Sequence, residues 1–376
     1  MTRASNAVLM ALLSGCATSS MRDELRAPKS VTALSESQSA QLRDLLAELA
    51  RPPFGTGAVL SISLTGSVTT VAEGVAWDGG PRVQAGTRFN VASVSKLLTA
   101  AKIVALAHDG KLSLDDSVAL RLPGVVLVDA DGRQRSAEVT LRQLLMHRGG
   151  LPHQPGALDP KTLGSEWTDR RLLERLTSSW SISLVRPPGD YGYSNMGYAL
   201  LGAIIERTEK RSFADAMQAY LESVGMRDSS FWPVGLTDAA HGRVEQNGAV
   251  RFNDPDWYAS RYALPFTGLW ATMPDMARFG QALLAAQADP AAPLHEMTVR
   301  HPSAQHGLGP IHRERFGLAT LEHDGGGPGF SSWLVVLPDR GVVLAIACNG
   351  DGESRDRAAR LFEITRDMLG VIIGRP

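Results

Sequence analysis

Phe89-Asn90-Val91-Ala92-Ser93-Val94-Ser95-Lys96 is the stretch on which the reading of this chain turns. Its first four residues read as a short strand. From Ser93 to His108, apolar residues at Val94, Leu97, Leu98, Ala101, Val104 and Ala105 recur at helical spacing, and Asp109-Gly110 ends the helix. Ser93 and Lys96 then lie one turn apart on one helical face. A serine hydroxyl is a poor nucleophile at neutral pH and needs a base. A lysine can be that base when burial or nearby cations lower its pKa from about 10.4. The helix start adds free N–H groups and a positive dipole end beside the serine. Ser-x-x-Lys also arises by chance, as an N-cap serine beside an exposed lysine. Here it occurs once, in a chain with six lysines against thirty-two arginines, and it opens an apolar helix.

Two later segments carry compatible chemistry. Tyr193-Ser194-Asn195 lies in a Pro/Gly loop, Pro187-Pro188-Gly189-Asp190-Tyr191-Gly192, that leads into a helix over 197–209. A tyrosine near a cation can exist as phenolate and relay a proton. The Asn195 amide can bond both a lysine and a substrate carbonyl, and the residue is also a candidate N-cap. His323-Asp324-Gly325-Gly326-Gly327-Pro328-Gly329 sits at a strand end before a hairpin. Glycines there let a substrate backbone lie alongside, so Gly325 and Gly326 are candidate substrate contacts. The Gly326 N–H can face an oxyanion, and His323 can give a hydrogen bond or a charge.

Outward from these segments, Ser35-x-x-Gln38 is a capping box before a helix to about Ala50, stopped by Arg51-Pro52-Pro53. Strands are expected near 57–64 and 67–76, turning at Thr65-Gly66. Helices are expected at 140–146, 212–224 and 275–287. Strands return at Phe316–Glu322, Ser332–Leu337 and Val342–Ala347, with a turn at Pro338-Asp339-Arg340-Gly341. An amphipathic helix spans 353–372. This order predicts an α+β fold: one antiparallel sheet drawn from about 34–110 and 300–376, flanked by N- and C-terminal helices, with a helical region inserted over about 111–299.

The chain has 376 residues and a formal net charge of −1, with no basic run, so nucleic acid is not an expected partner. Arg3 followed by the seven-residue apolar run Ala7–Leu13 reads as an export signal over 1–15, too short for a membrane span. Leu13-Ser14-Gly15-Cys16 resembles the lipobox of bacterial lipoproteins. It implies a lipid on Cys16 and a polar tether over 16–33. Ala17 after the cysteine favours the periplasmic side of the outer membrane. Cys348, in an apolar strand, reads as a small buried hydrophobe.

Ser-x-x-Lys, Tyr-x-Asn and His-x-Gly in that order resemble the serine β-lactamase and penicillin-binding-protein superfamily. The His-x-Gly form is similar to its class C-related branch, with family VIII carboxylesterases, D-aminopeptidases and D,D-carboxypeptidases. Leu144-Leu145-Met146-His147-Arg148-Gly149-Gly150-Leu151 and Gly268-Leu269-Trp270-Ala271-Thr272 through Asp275 are similar to that branch as well. The resemblance spans about 35–370 and implies a β-lactamase/transpeptidase-like fold. It implies Ser93 as nucleophile, Lys96 and Tyr193 as base, Asn195 as their orienter, an oxyanion hole at the Ser93 and Gly326 N–H groups, and His323 on the substrate. It implies a small-molecule or peptide substrate and no cofactor. His323-Asp324 stands where Lys-Thr is usual, which removes a fixed positive charge and favours an esterase or peptidase over an efficient β-lactamase.

Rival readings are weaker. Gly192-Tyr193-Ser194-Asn195-Met196 lacks the second glycine of a nucleophile elbow. His301, His306 and His312 have no metal-ligand spacing and read as a solvated Pro/Gly loop, so no metal is expected. A catalytically weak or silent binder of cell-wall fragments, a lipoprotein of the same fold, is the alternative function. Oligomeric state is not legible.

Overall fold

The computed structural model describes residues 31–154, 180–246, 248–260, 262–301, 306–350 and 355–375. The export signal, Cys16 and the tether up to Ser30 lie outside the described residues. Helix α1 (Glu36–Leu49) begins at the expected capping box. Ser35 Oγ accepts from Gln38 N at 3.1 Å and Gln38 Oε1 accepts from Ser35 N at 2.9 Å. Strands β1 (Gly57–Leu64) and β2 (Ser67–Gly74) form a hairpin through Thr65-Gly66. Helix α2 (Ser95–His108) follows the motif serine, with a single 3-10 turn at Ala92–Val94.

The middle of the chain holds α3 (Asn195–Glu209), α4 (Phe213–Ser223) and α5 (Met273–Ala288). It also holds a short helix Leu141–Leu145, a two-stranded parallel pair, Val125–Val128 with Trp180–Ser183, and a hairpin, Gly242–Gln246 with Ala249–Asn253. Then come β3 (Ile311–Arg315), β4 (Leu318–Gly327), β5 (Phe330–Leu337), β6 (Val342–Cys348) and α6 (Arg355–Ile373). The sheet order is β2-β1-β6-β5-β4-β3, antiparallel throughout, so both ends of the chain build one sheet.

Layering explains why β6 is apolar without alternation and why Ser61 and Ser63, which alternate with Leu60, Ile62 and Leu64 in β1, are buried as well: both faces of the sheet are covered. On one face, Leu42 and Leu46 of α1 and Ile364 and Met368 of α6 pack on Leu60, Leu344 and Ile346. On the other, Val59, Val343 and Ala345 meet the helical region. Cys348 is buried in β6 as expected. Buried Asn349 locks the two chain ends together. Its Oδ1 accepts from Thr56 N (3.0 Å) and Gly57 N (2.7 Å), and its Nδ2 donates to Ala76 O (2.8 Å).

Strand β3 is absent from the sequence reading, which placed loop and histidines there. Its polar residues Arg313 and Arg315 gave no apolar signal. The strand is held instead by charge: Arg315 makes a two-pronged pair with buried Glu322 of β4 at 3.0 and 3.1 Å.

Candidate active site

The strand-turn-helix around Ser93 is tightly fixed. Phe89–Asn90 pairs with Trp270–Ala271, and Val91 N donates to Leu269 O at 3.0 Å. Asn90 Oδ1 accepts from Ala92 N at 2.9 Å. Ala92 has φ +44°, in the left-handed region that costs an alanine about 1 kcal/mol or more. That strained residue aims the next one, Ser93, which is partly exposed, while the rest of the motif is buried. Ser95 Oγ accepts from Leu269 N at 3.0 Å and Thr99 Oγ1 donates to Pro265 O at 2.7 Å.

Lys96 is fully buried. Its Nζ lies 3.0 Å from Ser93 Oγ and donates to Phe266 O at 3.0 Å. Its other neighbours are ring faces: Tyr193 at 4.9 Å, Phe266 at 5.5 Å and Tyr198 at 5.8 Å from the centroids. Burial drives its pKa well below the ordinary lysine value, against a smaller upward pull from the Asp324 carboxylate. A neutral amine can donate to Phe266 O and accept the Ser93 proton.

Tyr193 is brought to the same point and hydrogen-bonds Ser93. Burial raises its pKa, with the Ser93 bond pulling the other way, so the hydroxyl stays protonated at neutral pH. The phenolate expected from sequence therefore lacks support here: the cation that would stabilise it is itself desolvated. Asn195 is buried in the first turn of α3, and its Oδ1 has no hydrogen-bond partner. It is not the N-cap. Ser194 takes that place, its Oγ accepting from Gly197 N at 3.0 Å.

Strand β4 brings the third segment in. Pairing with β3 stops at Glu322↔Ile311, while pairing with β5 continues to Gly327↔Phe330. Residues 323–327 are thus an open edge, among the described residues, beside Ser93. A Cβ on Gly325 would come within 3.2 Å of Ser93 N, whereas one on Gly326 would meet nothing within 4 Å. His323 is 2% exposed, not a surface histidine. Its Nδ1 lies 2.7 Å from Asp324 O, and because a carbonyl only accepts, Nδ1 carries the proton. Burial, then Lys96, lower its pKa to about 3. It supplies no charge at neutral pH, a correction to the sequence reading, and its Nε2 is left as an acceptor.

Two histidines missed as site residues complete the cluster. His147, at φ +56°, has its ring 4.3 Å from that of Tyr193, and its Nδ1 accepts from Ser194 N at 3.1 Å. His306, expected in a solvated loop, is 5% exposed. Its ring stacks on Tyr191 at 5.4 Å, its Nδ1 lies 3.1 Å from Tyr191 Oη, and its ring centroid is 5.0 Å from His147 and 6.1 Å from His323. Burial, then His323 and Arg313, lower its pKa to about 3. His312 is also buried, on β3. The signal missed in sequence was Tyr191, an aromatic loop residue able to cover a histidine. Among the described residues no three His, Cys, Asp or Glu side chains are placed to hold a metal ion.

These neutral imidazoles make stability fall in acid. Unfolded, each titrates near 6.5. Folded, His306 and His323 resist protonation down to about 3. Between those values the unfolded chain binds more protons. Stability therefore rises with pH in that window, by up to about 1.4 kcal/mol per unit per histidine, and above 6.5 the effect vanishes. The urea midpoint is expected to drop from pH 6.5 to 4, and His306→Phe to drop less steeply. Equal slopes would show that His306 is not held neutral.

A family model described as Beta-lactamase matches residues 46–366. The chain belongs to the beta-lactamase family. Among curated relatives, this beta-lactamase-family chain is 29% identical over 352 residues to Penicillin-binding protein 4 of Amycolatopsis lactamdurans, covering 85% of this chain and 86% of that one. A solved structure of SurE superimposes with TM-score 0.68 at 27% identity, covering 89% of this chain and 77% of that chain. A beta-lactamase from Sulfitobacter sp. EE-36 gives TM-score 0.72 at 21% identity, covering 91% and 99%, and supports the fold alone. The β-lactamase/transpeptidase-like fold expected from sequence is the fold found.

Proposed function

We propose that the chain is a serine hydrolase that forms a covalent acyl-enzyme at Ser93 on an ester, amide or β-lactam. The observation that carries this is the 3.0 Å approach of a desolvated Lys96 amine to the Ser93 hydroxyl. Ser93 Oγ attacks the carbonyl carbon as Lys96 Nζ takes its proton, and the carbonyl π pair moves to oxygen. The oxyanion faces the Ser93 and Gly326 N–H groups. Its collapse breaks the bond to the leaving group, which receives a proton from the Lys96 ammonium through the Tyr193 hydroxyl. Water then attacks the acyl carbon by the same proton route in reverse. The Asn195 amide donates to the substrate carbonyl, and His323 accepts a hydrogen bond from the substrate. The uncharged His323 offers nothing to a substrate carboxylate, which supports esters and amides over β-lactams as the better substrates.

The test is a panel of p-nitrophenyl esters, nitrocefin and D-Ala-terminal peptides. Turnover of at least one is expected in the wild type, and none in Ser93→Ala. Undiminished turnover in Ser93→Ala overturns the assignment. A wild type that neither turns over nor is acylated by an activated probe is the silent binder. We also propose export and lipid anchoring at Cys16, supported by Leu13-Ser14-Gly15-Cys16. Labelled palmitate should enter the wild type in a bacterial host and not Cys16→Ala; equal labelling counts against it.

A further inference from the structure

Far from Ser93, the C-terminal ends of α2 and α3 open onto a second concavity. Its volume is about 660 Å³, within the range of roughly 300–1,000 Å³ typical of small-molecule sites. Alanines make the space: Ala105 of α2, Ala219 of α4 and Ala282 of α5 line it, where longer side chains would fill it. One end carries charge. Glu209, the last residue of α3, is ringed by three cations: Lys102 at 3.4 Å, Lys111 at 3.4 Å and Arg211 at 3.7 Å. Lys102 and Glu209 are only 12% and 10% exposed. Burial pushes the Glu209 carboxyl up, but Lys102 and Lys111 pull harder, and it ends below its ordinary value.

The second observation is Tyr220. It lines the same cleft, is 8% exposed, and its hydroxyl has no hydrogen-bond partner. A buried hydroxyl left unpaired costs about 1–3 kcal/mol, and a ligand acceptor would remove that cost. Lys102 Nζ stands 5.7 Å from the centroid of the same ring, so cation and tyrosine share one end of the cleft.

We propose that this cleft binds an amphipathic carboxylate, its chain along the alanine walls and its head among Lys102, Arg211 and the Tyr220 hydroxyl. Lys111 is shared with Asp109, which among the described residues leaves Lys102 and Arg211 facing Glu209 alone and room for a second anion. Asp109, paired with Lys111 at 4.0 Å, and Asp289 line the same cleft and would instead favour an ammonium head. The experiment separates these. The site does not depend on the reaction at Ser93.

Decanoate, decanol and decylamine, each below its micelle-forming concentration, are titrated into the purified protein by calorimetry. Decanoate is expected to bind about tenfold or more tighter than either analogue. Ala282→Trp and, separately, Ala219→Phe should each weaken decanoate by about tenfold with the circular dichroism spectrum unchanged. Two variants on different helices guard against one failing to fold. No binding of decanoate to the folded wild type overturns the site. Equal binding of decanol, or tighter binding of decylamine, overturns the head-group assignment. Full affinity in both variants places the ligand elsewhere and overturns the proposal.

Discussion

Lys96→Met is expected to lower kcat by about 10³-fold or more, roughly 4 kcal/mol of barrier, while leaving the fold intact. Methionine nearly matches lysine in length and suits the three aromatic faces that surround Nζ. It cannot take the Ser93 proton. The substitution leaves Phe266 O without the donor that now lies at 3.0 Å, but it also removes an amine whose burial is itself costly. These effects oppose one another, so the melting temperature should move little. Tyr193→Phe is the companion. If Lys96 is the base and Tyr193 hands protons onward, acylation should suffer at least about tenfold more from Lys96→Met than from Tyr193→Phe. Pre-steady-state acylation rates decide the order. The reverse order would make the phenol the base, against the opposite directions in which burial moves the two groups.

What was legible in the sequence divides along physical lines. The meeting of Ser93, Lys96 and Tyr193 was legible because the proposed chemistry demands particular residue types at fixed local spacing, and the fold brings the other two to the Ser93 hydroxyl. The sheet was legible because β6 is an unbroken apolar strand, β1 and β5 are apolar but for two serines each, and the capping box at Ser35 is a local signal. Strand β3 was not, because its cohesion lies in the Arg315–Glu322 pair, formed between two strands. His306 was misplaced for the same reason: what buries it is Tyr191, 115 residues earlier. The charge state of His323 was beyond sequence too, since it depends on burial and on the proximity of Lys96. Asn195 was one residue from the cap it was a candidate for: the helix begins at Asn195 itself, and Ser194 Oγ accepts from Gly197 N.

Gly325→Ala is expected to cut kcat/KM by about 10²-fold and to destabilise the protein by about 1–3 kcal/mol. The added methyl would sit 2.3 Å from Val91 O and 2.5 Å from Ser332 Oγ, two atoms now joined by a 2.7 Å hydrogen bond. One of them is backbone, so no side-chain rotation relieves the clash. Either β4 moves away from Ser93 or the 91–93 segment moves, and in both cases the separation between the Ser93 N–H and the strand edge changes. Gly326→Ala provides the contrast, since its methyl meets nothing within 4 Å. It should leave the urea midpoint near the wild-type value and act only on a bound substrate, by raising KM. Paired urea titrations and kinetics on the two variants test this. Wild-type stability and turnover in Gly325→Ala would mean that the strand edge does not lie against Ser93. A large loss of stability in Gly326→Ala would mean that the open side of that edge is not open. The two neighbouring glycines thus separate what holds the strand against Ser93 from what the strand offers to a substrate.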